Sequence, residues 1–398
     1  MASDNSVLFQ SKETPIFVKI LQERISPFQQ IAVIYSFLVY GCLNVFDFTT
    51  IWKGVFYGFL LIFAFGTIFL NWKRMPIHSR ILSLVLILGG GALYFVTDTF
   101  LVLLISACGA CLIGMPLEKI LRTGFYTQLA FFLFIVFLSF FGLGRENDLP
   151  PFEGSLRGYR FSLGFSHPNA AASFFLFTMM LYIASAKKLN TPKIALCALS
   201  CLIVYGLTNS KTMLVFDVLF FAVLLFWKLF VLPKRLVSFG CLLFPFFLAV
   251  GYVLCSFFYD TSLNDIMTGR LWLGHDAMMT GLTLFGNDIT YPVDMMYMNL
   301  LYNDGIVITL FYFAVFSLPF LYIAKYFNDS YRTLFFLFGA LTLVYGLSET
   351  YAQNLMAPTT IVFFYWLYNG KDPIRDMEDR RYLDNRSLKS FLFGRFFG

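Results

Sequence analysis

Residues 157–175 read RGYRFSLGFSHPNAAASFF. The stretch opens on two arginines, Arg157 and Arg160, passes through His167 and a Pro168-Asn169 pair, and ends inside an apolar run that continues to about residue 186. Pro168 suits the first turn of a helix, where its missing N–H is one of the unsatisfied donors anyway, and Ser166 stands where a cap is expected. A helix starting there turns the positive end of its dipole and its free N–H groups toward Arg157, Arg160 and His167. The spacing predicts an anion site, most naturally for phosphate, at the mouth of an apolar helix. Contact of the same arginines with lipid headgroups or with Glu153 is the alternative.

The composition on either side explains why the polar chemistry is concentrated. Of 398 residues, 59% are hydrophobic, 20% aromatic and only 13% charged, with a mean hydropathy of +0.73. A soluble domain has nowhere to put that much apolar surface. Apolar runs close to the roughly 20 residues that cross a bilayer fall near 29–46, 55–71, 81–97, 100–116, 128–143, 168–186, 194–209, 212–232, 236–257, 303–324, 332–347 and 353–369. The chain therefore reads as an all-α integral membrane protein of about twelve transmembrane helices, one polytopic domain over 1–398. The net charge of +6 comes from short basic clusters between the apolar runs, the pattern that orients a membrane protein, and it does not point to nucleic acid. Cys108, Cys111, Cys197, Cys201 and Cys255 lie inside apolar runs, which fits neither a disulfide framework nor a thiolate zinc site. The CxxC spacing of Cys108 and Cys111 is read as two small packing residues. No cleavable leader is expected, because the first 28 or so residues are polar and charged.

The connections carrying Lys19/Arg24, Lys73/Arg74/Arg80, Lys119/Arg122, Lys187/Lys188/Lys193, Lys234/Arg235, Lys325/Arg332 and the tail from Lys371 alternate with the others. Positive-inside reasoning places them in the cytoplasm with both termini, Lys53 being an exception. The opposite face then receives a first outer loop at 144–167, a main outer loop at 258–302, the connection TNSKT at 208–212 and the turn around Glu349. The cytoplasmic tail, 371–398, mixes basic and aromatic residues as an interfacial anchor or a solvated tail would. In the main outer loop, Leu263, Ile266, Met267, Leu271, Met278 and Leu282 recur at near-helical spacing, and Ser262 with Asp265 forms a capping box. A short amphipathic helix lying on the outer membrane surface is expected there.

That face also holds the remaining chemistry-bearing residues. Arg270 lies in the amphipathic segment and needs a headgroup or a ligand; His275, five positions on, points about 140° away and belongs to a different face. Lys211 begins a helix just before Asp217 and either pairs with it or adds a cation to the anion site. Asp294, with Tyr297 one turn on, is either a structural partner of the cations or an acid/base group. Glu146, Asp148 and Glu153 lack ligand spacing, and no metal site is expected.

In order along the chain, Arg160-x-x-x-Gly164-Phe165-x-His167-Pro168-Asn169, Asn209-Ser210-Lys211-Thr212, Thr268-Gly269-Arg270 with Trp272, and Asp294-x-x-Tyr297-x-x-Leu300-x-x-x-x-Gly305 resemble the landmarks of the O-antigen ligase and polymerase superfamily. They run from about residue 145 to 310. The resemblance implies a bacterial O-antigen or capsular polysaccharide polymerase of the Wzy type, with the integral-membrane C class of glycosyltransferase fold (GT-C). It further implies an active site on the outer face of the cytoplasmic membrane and undecaprenyl-diphosphate-linked oligosaccharides as donor and acceptor, with lipid diphosphate as leaving group. A chain-length regulator and a flippase would be partners, and neither nucleotide sugar, metal nor other cofactor would be required. Two positions depart from the pattern. Ser210-Lys211 stands where the family often has Ser-Arg, which removes a bidentate fork for diphosphate; Asp294-Met295 stands where ligases tend to carry His-Asn, which favours a polymerase over a ligase. A flippase or transporter for lipid-linked oligosaccharide has a similar helix count, but would place its polar groups near the bilayer midplane.

For that chemistry, Arg160 and Arg270 are expected to hold the departing diphosphate, with Arg157 and Lys211 as second cations and His167 or Asp294 as the base. Pro168, Asn169 and Tyr297 complete the motif residues.

Overall fold

The computed structural model describes residues 26–45, 50–143, 148–149, 159–186, 189, 191–353 and 357–369. Arg157, most of the first outer loop, Lys19, Arg24, Lys187, Lys188 and the tail 371–398 lie outside the described residues. Each of the twelve apolar runs forms a helix: α1 (Pro27–Val45), α2 (Thr50–Asn71), α3 (Ile77–Thr97), α4 (Leu101–Ala110), α5 (Leu117–Ser139), α6 (Pro168–Ser185), α7 (Thr191–Thr208), α8 (Lys211–Leu229) and α9 (Lys234–Phe257) precede the main loop. The loop contains α10 (Ser262–Ile266) and α11 (Arg270–Met279), and α12 (Ile306–Tyr326), α13 (Asp329–Tyr345) and α14 (Pro358–Asn369) follow it. Among the described residues there is no strand, only an isolated antiparallel bridge between Leu149 and Arg160.

Seven helices, α2, α3, α5, α6, α8, α9 and α12, are long and apolar enough to cross a membrane. Of the others, α4 and α14 are shorter than their sequence runs led us to expect. The run at 100–116 yields only the 10 residues of α4, about 15 Å of helix against a hydrocarbon core of about 30 Å. The run at 353–369 yields the 12 residues of α14. Apolar residues alone do not extend a helix when the chain must turn, and after Ala110 it does so through successive turns to Gly114, whose φ is +75°.

Burial sorts the helices by position. In α6, 89% of the apolar window is buried within the protein, against 17% in α3. An all-round apolar helix of this kind belongs at a bundle centre, and α6 packs on α5, α7, α8, α13 and α14. Its Ala170, Ala171, Ala172 and Ser173 are all buried, and small residues of this kind permit close helix approach. The outer helices instead leave Phe59, Ile62, Phe69, Leu88, Leu225 and Phe246 exposed, a surface suited to lipid.

One end of the bundle is tied by side-chain bonds between helix termini: Ser79 Oγ donates to Leu367 O (3.0 Å), Gly114 N to Asn369 Oδ1 (3.0 Å) and Leu232 N to Thr333 Oγ1 (3.0 Å). The opposite end carries the long loop. Its return is fixed where Gly286 crosses Gly305, with φ values of +93° and +90°. A Cβ on Gly286 would lie 2.1 Å from Asn303 O, so only glycine fits. The same segment caps α12, because Ile306 N and Val307 N donate to Thr283 O and Leu284 O, both at 3.1 Å.

Candidate functional site

The stretch before α6 turns through Leu163 and Gly164, at φ +54° and +83°. A Cβ on Gly164 would meet Ile135 Cγ2 at 2.9 Å, so this turn rests directly on α5. Phe165, fully buried between Phe132 and Phe174, anchors it. Pro168 opens α6 as expected, but the cap is His167 rather than Ser166: His167 Nδ1 accepts from Asn169 N at 3.1 Å. With its Nδ1 lone pair engaged by an N–H, a neutral imidazole carries its proton on Nε2. Burial, then Arg160 and Arg270, push the ring below its ordinary pKa, with Asp294 pulling the other way. His167 is thus a neutral ring whose free nitrogen donates.

Arg160 is held from both sides. Its backbone exchanges two 3.0 Å bonds with Leu149, its Nε donates to Thr208 O at 3.3 Å and its Nη2 to Asn169 Oδ1 at 2.8 Å. The α7–α8 junction completes this part. Asn209 adopts φ +43°, and Ser210 caps α8 by accepting from Met213 N (3.3 Å) while donating to Asn169 Oδ1 (2.9 Å). Lys211, next in sequence, lines the cleft. The ion pair between Lys211 and Asp217 does not form; Asp217 faces inward, only 3% exposed.

Arg270 departs from its expected place on a surface helix. The chain breaks between α10 and α11 at Thr268 and Gly269, with φ +56° and +82°, which rotates Arg270 inward to 7% exposure. A continuous amphipathic helix would have left it outside. The break has local causes. Asn264 Oδ1 accepts from Trp272 N at 3.1 Å and Asn264 O from Gly269 N at 2.9 Å, restarting the helix at Arg270. The capping box of Ser262 and Asp265 is not used; Thr261 precedes α10 and makes no cap bond. Close packing at Gly274, where a Cβ would lie 2.5 Å from Cys255 Sγ, seats α11 on α9.

Inside, Arg270 Nη2 donates to Glu349 Oε1 at 2.7 Å, Nε to Asp294 Oδ2 at 3.4 Å and Nη1 to Thr212 Oγ1 at 3.3 Å. Glu349 Oε1 also accepts from Asn169 Nδ2 at 2.9 Å. The result is a continuous chain, Arg160–Asn169–Glu349–Arg270–Asp294, drawn from four separate parts of the sequence. Glu349 is the member that the sequence did not single out. It is 3% exposed, and burial pushes its carboxyl up to about 7 against the opposing pull of Arg270, with Asp294 adding to the rise. Its one available signal was isolation: a single acid in a short turn between two apolar runs.

A cleft of about 470 Å³ opens onto this chain, lined by Arg160, His167, Asn169, Lys211, Arg270 and Asp294, among others. Five candidate residues and the motif amide Asn169 therefore meet in one place. Tyr297 does not join them. It is fully buried, its hydroxyl donates to Leu343 O at 2.8 Å, and it packs edge-on against Phe244, a structural role. His275 also lies elsewhere, stacked on Tyr259 at 3.6 Å between ring centroids.

No protein-family model, curated protein or solved structure matches the chain. The site is therefore read from its own geometry. Three cations, Arg160, Lys211 and Arg270, face two carboxylates, Asp294 and Glu349, leaving a net charge of +1 for an incoming anion. Asp294, at 41% side-chain exposure, is the carboxylate open to a ligand. Among the described residues no group of three His, Cys, Asp or Glu is placed to hold a metal ion.

Proposed function

We propose that this chain is a polysaccharide polymerase of the Wzy type, joining undecaprenyl-diphosphate-linked oligosaccharide units at the outer face of a bacterial cytoplasmic membrane. The apolar bundle would lie in the bilayer in a GT-C arrangement, its long helices crossing and α4 and α14 reaching only part of the thickness, with both termini in the cytoplasm. The observation that carries the reading is the convergence of Arg160, Lys211 and Arg270 on one cleft beside His167 and Asp294. Arginines fixed by neighbouring bonds, rather than free on a surface, stabilise charge that develops on a departing diphosphate without reorganising.

In this reading the glycosyl C1–O bond to the lipid diphosphate breaks, and the diphosphate takes the electron pair against Arg160, Arg270 and Lys211. The acceptor sugar hydroxyl forms the new bond to C1, and its proton passes to Asp294. Asp294 is assigned as base because it is the more exposed carboxylate and because His167 has its Nδ1 engaged. His167 Nε2–H then serves as a donor to a phosphate or sugar oxygen.

The test is reconstitution of the purified protein with synthetic undecaprenyl-diphosphate repeat unit, followed by gel analysis of glycan length. A ladder lost in Arg160→Ala and Arg270→Ala is the expected result. Transbilayer movement of labelled lipid with no ladder from authentic substrate would instead identify a flippase.

A further inference from the structure

We propose that Glu349 takes up one proton when a phosphate-like dianion binds to Arg270, so that anion binding in this cleft is coupled to proton uptake from solvent. The inference rests on the anion-binding reading above and concerns a residue that reading does not use.

In the resting site Glu349 Oε1 accepts from Arg270 Nη2 at 2.7 Å and from Asn169 Nδ2 at 2.9 Å. Its side chain is 4% exposed, and that of Arg270 8%. An anion that takes a guanidinium N–H from Arg270 approaches a carboxylate that has no water to retreat into. Arg270 already serves two carboxylates, Glu349 and Asp294, so an incoming dianion is a third negative group on one buried guanidinium, and the usual resolution is protonation of the most buried carboxyl. A protonated Glu349 also changes role, since a carboxylic acid can donate a bond to the anion that the carboxylate would repel.

The groups around Glu349 come from each element packed against it. Arg270 faces it from α11, Asn169 from the start of α6, Asp294 from the returning loop and Tyr345 from the end of α13; Arg160, His167 and Lys211 line the adjoining cleft. His167 is held below its ordinary value and is neutral there. Burial has already moved Glu349 up to about 7, so it is poised, and a nearby negative charge moves it further in the same direction.

The test uses inorganic sulfate, a dianion whose own charge is constant between pH 6 and 9, titrated calorimetrically into the purified full-length protein. One-proton coupling predicts that the Kd rises about tenfold per pH unit between pH 7 and 9, and that Glu349→Gln, which keeps an acceptor for Arg270 and Asn169, binds sulfate with no such slope. Asp304, another buried acid pushed up to about 7, lies outside the cleft, and Asp304→Asn is expected to keep the slope. A flat wild-type profile overturns the coupling whatever the variant does. A slope that persists in Glu349→Gln, or disappears in Asp304→Asn, overturns the assignment to Glu349. Failure to bind sulfate at any pH overturns the anion cleft and this inference with it, whereas pH-independent binding overturns the inference alone.

Discussion

Arg270 and Glu349, 79 positions apart in sequence, form a buried ion pair at 2.7 Å. Because Asn169 bridges Glu349 to Arg160, the pair also fixes the distance between the two arginines. Each guanidinium is thus tied to groups beyond its own loop, the arrangement expected where charge must be met without rearrangement.

Replacing Arg270 with alanine leaves Glu349 and Asp294 without their shared cation. An uncompensated buried charge costs about 3–5 kcal/mol, so a lowered thermal midpoint in detergent is expected together with loss of the glycan ladder. Arg270→Lys restores charge but cannot serve three partners from one fork. It is expected to regain stability more than activity, which differential scanning fluorimetry and the gel assay together would separate.

His167→Asn tests whether the ring donates or abstracts. Asparagine is a good helix cap, so the bond from the Asn169 backbone is preserved and the midpoint should stay near wild type. The turnover rate should fall by about 10²-fold through loss of the Nε2–H donor. The wild-type cap also has an acid limit. Its imidazole is depressed, so the stability it contributes is present above about 6.5 and is lost as pH falls through the lower folded value. A pH titration of the midpoint in wild type and His167→Asn should show the acid-side loss only in the former.

Gly286→Ala should abolish ordered assembly of the main loop. The positive φ alone costs about 1–2 kcal/mol with a Cβ, and that Cβ would meet Asn303 O at 2.1 Å. Limited proteolysis between residues 258 and 302 is the readout; a variant as resistant as wild type would show that the crossing with Gly305 is not what fixes the loop.

Asp304, whose carboxyl accepts from Asn299 Nδ2 at 2.9 Å, is pushed up to about 7 by burial. A carboxyl raised in the folded state binds protons more tightly there, so its stability contribution is complete below about 4 and is lost as pH rises through 7. The thermal midpoint should decline over that interval, and Asp304→Asn should flatten the decline.

The length of the apolar runs carried most of the fold. Each of the twelve apolar runs became a helix, because an apolar segment among polar ends has few other ways to satisfy its backbone in lipid. Helix lengths were less legible: α4 ends where Gly114 allows a turn, and nothing in the run 100–116 differs in polarity on either side of that point. At the site, Pro168 announced its helix start through local chemistry, so Arg160 and His167 were found with it, and Lys211 stood out as a cation at the outer end of the next apolar run. Arg270 was found but misplaced, since its inward rotation depends on two left-handed residues, only one of them a glycine. Glu349 was not found because its meaning lies wholly in partners 79 and 180 positions away.

The two bonds between Leu149 and Arg160 close a short circuit in the backbone. Leu149 thus acts as a splint for Arg160, holding the backbone of that residue in place whether or not its guanidinium is engaged by Asn169 or by a ligand.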